Sequence, residues 1–128
     1  AQVILGTIFR IETALKDFLG SKEGVTIESW RQNSPEVSAR WKGEDGIERN
    51  IHFRVSAETI ELEINAWSDD QATRKRKWGN LRVAVIASNL NNIQFDNAIA
   101  ALMKFAYSTI SAVTIHQLTR TSDLRSTN

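Results

Sequence analysis

The stretch ETIELEINAW, residues 58–67, most constrains what this chain can fold into. Ile60, Leu62, Ile64 and Ala66 alternate with Glu61, Glu63, Asn65 and Trp67, so an extended backbone carries one apolar face and one polar face. Both neighbouring runs fall into register against it. Folding back at Ala57-Glu58 sets Val55 opposite Ile60, Phe53 opposite Leu62 and Ile51 opposite Ile64, while Arg54 meets Glu61 and His52 meets Glu63. Folding 78–86 back sets Ile60 opposite Val85, Leu62 opposite Val83 and Ile64 opposite Leu81, with Glu63 facing Arg82 and Trp67 facing Trp78. A slip of one residue would set apolar side chains against charges in both hairpins, so the register is strongly specified.

Two further strands precede this ribbon. VTIESWRQ (25–32) ends at the turn signal Asn33-Ser34-Pro35. VSARWK (37–42) turns through Gly43–Gly46, where Gly46 suits a left-handed position, into IERNIHFRV (47–55). That loop aligns Val37 with Phe53, Ala39 with Ile51 and Trp41 with Arg49. Residues 2–19 read as an amphipathic helix with the seam Ile4, Ile8, Ile11, Leu15 and Phe18, stopped by Gly20 as a left-handed residue. Asp96 is the expected N-cap of a last helix over 97–117, whose stripe is Ile99, Leu102, Met103, Ala106, Ile110 and Val113. Phe105, Tyr107 and Ile115 lie off that stripe. This helix is therefore expected at the centre of the core, its back covered by the first helix or by another subunit. Residues 68–77 form a loop or a projecting hairpin arm, 87–95 an Asn-rich connection, and 119–128 a frayed tail.

The expected fold is a single α+β domain over 1–128: a two-layer, five-stranded antiparallel meander with N-terminal and C-terminal helices packed on one face. In element order it resembles small secretion chaperones and cystatin-like modules, which bears on fold alone.

Cysteine is absent, which excludes disulfide scaffolds, cysteine nucleophiles and thiolate metal sites and fits a cytoplasmic protein. The apolar opening lacks a basic n-region and a small-residue cleavage pattern, so no signal peptide is expected. Ser108, Thr109, Ser111 and Thr114 argue against a membrane span in the last helix. Charge is split along the chain. Residues 1–73 carry eight Lys/Arg against thirteen Asp/Glu, and residues 74–128 carry eight against two. That polarity favours head-to-tail self-association or an anionic partner.

No phosphate loop, dinucleotide fingerprint, paired metal histidines or nucleophile elbow is present, and no cofactor is implied. Two constellations remain. His52 beside Glu63, with Glu61 and Arg54 next along, has the groups of an acid–base pair or a metal site, and equally those of a solvated cross-strand charge ladder. The second is aromatic and basic. Trp30, Trp67 and Trp78 share the polar face with Arg40, Arg54 and Arg82, beside a loop supplying Arg74, Lys75, Arg76 and Lys77. Rings stack on bases and cations neutralise phosphates, so such a face suits single-stranded nucleic acid. Glu28, Glu48, Glu61 and Glu63 on the same face oppose a polyanion and favour a protein interface, where tryptophan supplies area. A third use of Trp67 and Trp78 is a cross-strand lock for their own hairpin. The expectation is a non-enzymatic, self-associating binding module that uses the open sheet face, a homo-oligomer of the dimer kind. A protein partner and single-stranded nucleic acid are the further partners, and a small enzyme or metal site at His52 and Glu63 is the last alternative.

Overall fold

The computed structural model describes residues 2–20, 22–32, 35–56, 58–70 and 75–113. Its elements are α1 (Gln2–Leu19), β1 (Thr26–Trp30), β2 (Glu36–Lys42), β3 (Glu48–Val55), β4 (Thr59–Asp70), β5 (Lys75–Ile86) and α2 (Asn92–Ser111). The strands form one antiparallel sheet in the order β1-β2-β3-β4-β5. The pairings are those the alternation dictates: Phe53 with Leu62, His52 with Glu63, Leu62 with Val83 and Glu63 with Arg82. Both helices pack on the apolar face, α1 over β1 to β3 and α2 over β3 and β4.

The core follows from that one-sidedness. Val37, Ala39, Ile51, Phe53, Ile60, Leu62 and Ile64 rise from the sheet and are buried. From above, α1 contributes Ile8, Ile11, Leu15 and Leu19, and α2 contributes Ile99, Leu102, Met103, Ala106 and Ile110. Each fully buried side chain of this size stabilises by ~1.5–3 kcal/mol. Among the described residues no helix is long and apolar enough to cross a membrane.

Three local expectations are corrected. The α1 seam passes through Leu19; Phe18 is half exposed and lies tilted against Tyr107 of α2, ring centroids 5.7 Å apart. Steps of three, four and four keep a 3.6-residue stripe on the sheet better than a strict heptad does. Gly20 is not left-handed: positive φ occurs at Gly24 and Gly46. A Cβ at Gly20 would collide with the Lys16 carbonyl. The N-cap of α2 is Asn91, five residues before Asp96, because Asn91 and Gln94 close a capping box in which each side chain accepts from the other's backbone N–H (2.9 and 3.0 Å). Among the described residues α1 covers one flank of α2 and leaves its far side open. Tyr107 and Asp96 meet α1 along one flank, while Phe105 and Ile93 stand exposed. Of the two forms expected for 68–77, the described residues take the hairpin arm, in which Lys75–Lys77 extend β5 and pair with Ser68–Asp70 of β4. Arg74, Ile115 with the rest of 114–117, and the tail 119–128 lie outside the described residues, as does the side chain of Ile4.

One buried cation ties the layers together. Arg49 lies on the apolar face opposite Trp41, under the end of α2, and is 7 % exposed. Its guanidinium uses all five N–H donors. Two go to the Asp45 carboxylate (2.8 and 3.0 Å), and one each to the carbonyls of Ile47 (3.1 Å), Ile110 (3.1 Å) and Val113 (3.2 Å). α2 has no basic residue in its last turn, so the sheet supplies the cation that its C-terminal carbonyls favour. Gly43 makes room: a Cβ there would overlap the Arg49 side chain.

Candidate functional site

Away from the helices, the polar face carries four cross-strand rows that reach across four or five strands. Trp30, Glu36, Arg54, Glu61 and Ala84 form the first; Glu28, Ser38, His52, Glu63 and Arg82 the second. Thr26, Arg40, Asn50, Asn65 and Asn80 form the third, and Lys42, Glu48, Trp67 and Trp78 the fourth. The rows follow from strand periodicity and register.

Most charges on this face neutralise one another. Glu36 accepts from Arg54 Nε at 3.0 Å and lies 3.2 Å from His52 Nε2. Glu63 accepts from Arg82 Nε at 2.6 Å. Burial raises the Glu36 carboxyl, but hydrogen bonds from Arg54 and His52 outweigh it and hold the group below its ordinary range. Glu63 behaves alike: burial raises it, and donors from Asn65, Arg82 and Asn80 carry it below. His52 and Glu63 are register neighbours, yet the imidazole lies against Glu36, and Glu63 is a carboxylate locked by donors. A carboxylate held below its ordinary range is poorly matched to proton transfer near neutral pH. Among the described residues, no three His, Asp or Glu side chains gather as a metal ion would need.

The centre of the face is an amide ladder that was not singled out among the candidate residues. Asn50 Nδ2 donates to Ser38 Oγ (2.7 Å) and to the Ala39 carbonyl (3.1 Å). Asn65 Nδ2 donates to Asn50 Oδ1 and Glu63 Oε1, both at 3.0 Å, and Asn80 Nδ2 to Asn65 Oδ1 at 2.6 Å. Each Nδ2 has two hydrogens, so Asn50 and Asn65 have none left for a ligand. The signal was present in the sequence: the register that opposes Ile51 to Ile64 and Ile64 to Leu81 also opposes Asn50, Asn65 and Asn80.

The remaining candidates divide. Trp30 is 59 % exposed at the β1 end, Trp67 is half-buried, and Arg40 is exposed and forms no ion pair with the described residues. Thr26, Glu28, Ser38, Arg40, Asn50 and Trp67 line a depression of 230 Å³. A second, of 330 Å³, lies over the His52, Arg54, Glu61, Glu63 and Arg82 cluster. Trp78 and Lys75–Lys77 have β5 backbone, but their side chains lie outside the described residues. Arg54 and Arg82 are committed to carboxylates.

The other open feature is the outer edge of β5. This strand runs twelve residues and has one sheet neighbour, β4; the opposite edge, β1, is only five residues long. Ala87 N–H donates to the Glu58 carbonyl (2.6 Å), and the pairing with β4 runs unbroken from there. Backbone direction alternates along a strand, so Leu81, Val83 and Val85 bond to β4 while Asn80, Arg82, Ala84 and Ile86 point both backbone groups outward. The helix-side face of this edge is also incompletely covered. Leu81 and Phe105 are each 42 % exposed, Val83 and Val85 half-buried. Phe105 lies two residues, about 200° around α2, from Tyr107, which marks the α1 flank; it therefore faces the β5 side.

Comparison of the chain with protein-family models, with curated proteins and with solved structures finds no match.

Proposed function

We propose that this protein is a non-enzymatic binding module of the cytoplasm that self-associates as a dimer. The observation that carries the reading is the β5 edge: twelve residues long, bare on its outer side among the described residues, and bordered by the half-covered Leu81 and Phe105. Soluble proteins shield long edge strands with charge, proline, bulges or an overlying element. Here the half from Leu81 to Ile86 contains no proline and one charge, Arg82, already paired with Glu63. Self-association supplies the missing cover. The test is mass by light scattering from about 1 to about 100 µM, a range that brackets ordinary weak association. The mass should rise from the 14.4 kDa of one chain towards twice that value, and a single-chain mass throughout would overturn the reading.

A second reading, binding of single-stranded nucleic acid, is supported by the exposed Trp30 and by Arg40, which has no carboxylate partner among the described residues. It predicts tryptophan quenching by an oligonucleotide at low salt, lost as salt rises. The pairing of Arg54 and Arg82 with carboxylates makes it the weaker of the two.

A further inference from the structure

We infer that a second copy of this chain docks on the β5 edge by antiparallel β5–β5 pairing centred on Val83, joining two five-stranded sheets into one of ten. This inference rests on the self-association proposed above and specifies its surface. A bare strand edge is complementary to another extended strand, and a two-fold axis through the strand pairs the edge with itself and closes the assembly at two copies.

The centre is fixed by which side chains then meet. With Val83 opposite its own copy, Leu81 faces Val85 on the helix side, and these three half-covered apolar residues match throughout. On the polar side Arg82 faces Ala84 and Asn80 faces Ile86, so no like charges oppose. Moving the centre to Arg82 would set two guanidinium groups directly opposite, which is unfavourable. Moving it to Ala84 would set Leu81 against Ala87. The backbone agrees. Arg82 and Ala84 both point N–H and C=O outward and exchange two hydrogen bonds in this register, as do Asn80 and Ile86. Because the axis is normal to the sheet, both helix layers stay on one side, and Phe105 of each copy overhangs the joined strands.

Val83 then forms a non-hydrogen-bonded pair with its own copy, Cα atoms about 4.5 Å apart. That lies within the span of a disulfide. The chain has no cysteine, so Val83→Cys introduces a single thiol per copy. Oxidation with diamide should give a disulfide-linked dimer within minutes, whereas Glu23→Cys, on the far side of the sheet, should give little. Ala84→Pro removes an outward donor without touching a bond to β4 and should return the light-scattering mass to one chain, while the unfolding midpoint, compared at a dilution where both proteins are single chains, stays nearly unchanged. A dimeric mass with Val83→Cys uncrosslinked and Ala84→Pro still dimeric would overturn this surface and leave self-association standing. A single-chain mass for the unaltered protein would overturn both.

Discussion

Replacing Arg49 with Ala should cost about 3 kcal/mol, and the value can be assembled from the contacts. The Asp45 carboxyl sits at about 2, below its ordinary 3.8, chiefly through the hydrogen bonds that Arg49 donates. That difference alone corresponds to roughly 2.4 kcal/mol, but the Asp45 side chain is 42 % exposed, and solvent screening reduces its share to about 1 kcal/mol. The carbonyls of Ile47, Ile110 and Val113 lose a charge-assisted donor, at roughly 0.5–1 kcal/mol each when water can partly replace it. The sum lies at the low end for breaking a buried pair because Asp45 can rehydrate. Urea unfolding followed by tryptophan fluorescence measures it. Arg49→Lys should recover less than half, since one ammonium cannot reach four acceptors in a fork. Acid gives a second readout. A carboxyl depressed in the folded state contributes stability above its unfolded value, and that contribution is lost as pH falls from about 4 towards about 2. The Asp45 part of this loss should disappear in Arg49→Ala. A cost under ~1 kcal/mol for Arg49→Ala, with the acid slope unchanged, would refute the reasoning.

Asn65→Ala interrupts the amide ladder, leaving Asn80 Nδ2 without its acceptor and Asn50 Oδ1 without its donor, and should cost about 1–2 kcal/mol by the same urea assay. It also removes a donor from Glu63, so that carboxyl should titrate closer to its ordinary range when followed by carbon-detected NMR. Asn91→Ala opens the capping box of α2 and should cost about 1 kcal/mol, whereas Asp96→Ala, which sits inside the helix, should leave N-terminal capping intact.

The sheet was readable in the sequence because a period of two leaves little freedom: once Ile60, Leu62 and Ile64 share a face, Phe53 and Val83 have one sensible partner each. Helix ends were harder. A capping box at Asn91 and Gln94 competes with Asp96 on local chemistry alone, and the Asn-rich composition around it resembles a loop. Arg49 illustrates a different limit. Its place on the apolar face follows from register, but the α2 carbonyls that justify burying it are more than sixty positions away in the chain. His52 shows that register fixes opposition without fixing contact. Glu63 lies directly across from it, yet a long Glu36 side chain on the other flank takes the imidazole, while Arg82 takes Glu63. The β5 edge was legible only in part. Alternation placed Leu81, Val83 and Val85 on the helix side, but it did not show that α2 stops over β4 and leaves them half covered.

The most direct test is residue-resolved amide hydrogen exchange along β5 at two protein concentrations. Leu81, Val83 and Val85 should be protected at both, through β4, whereas Arg82 and Ala84 should be protected at high concentration and exchange rapidly on dilution. Arg82 and Ala84 exchanging rapidly at every concentration, or protected at every concentration in a chain that stays monomeric, would contradict β5–β5 pairing.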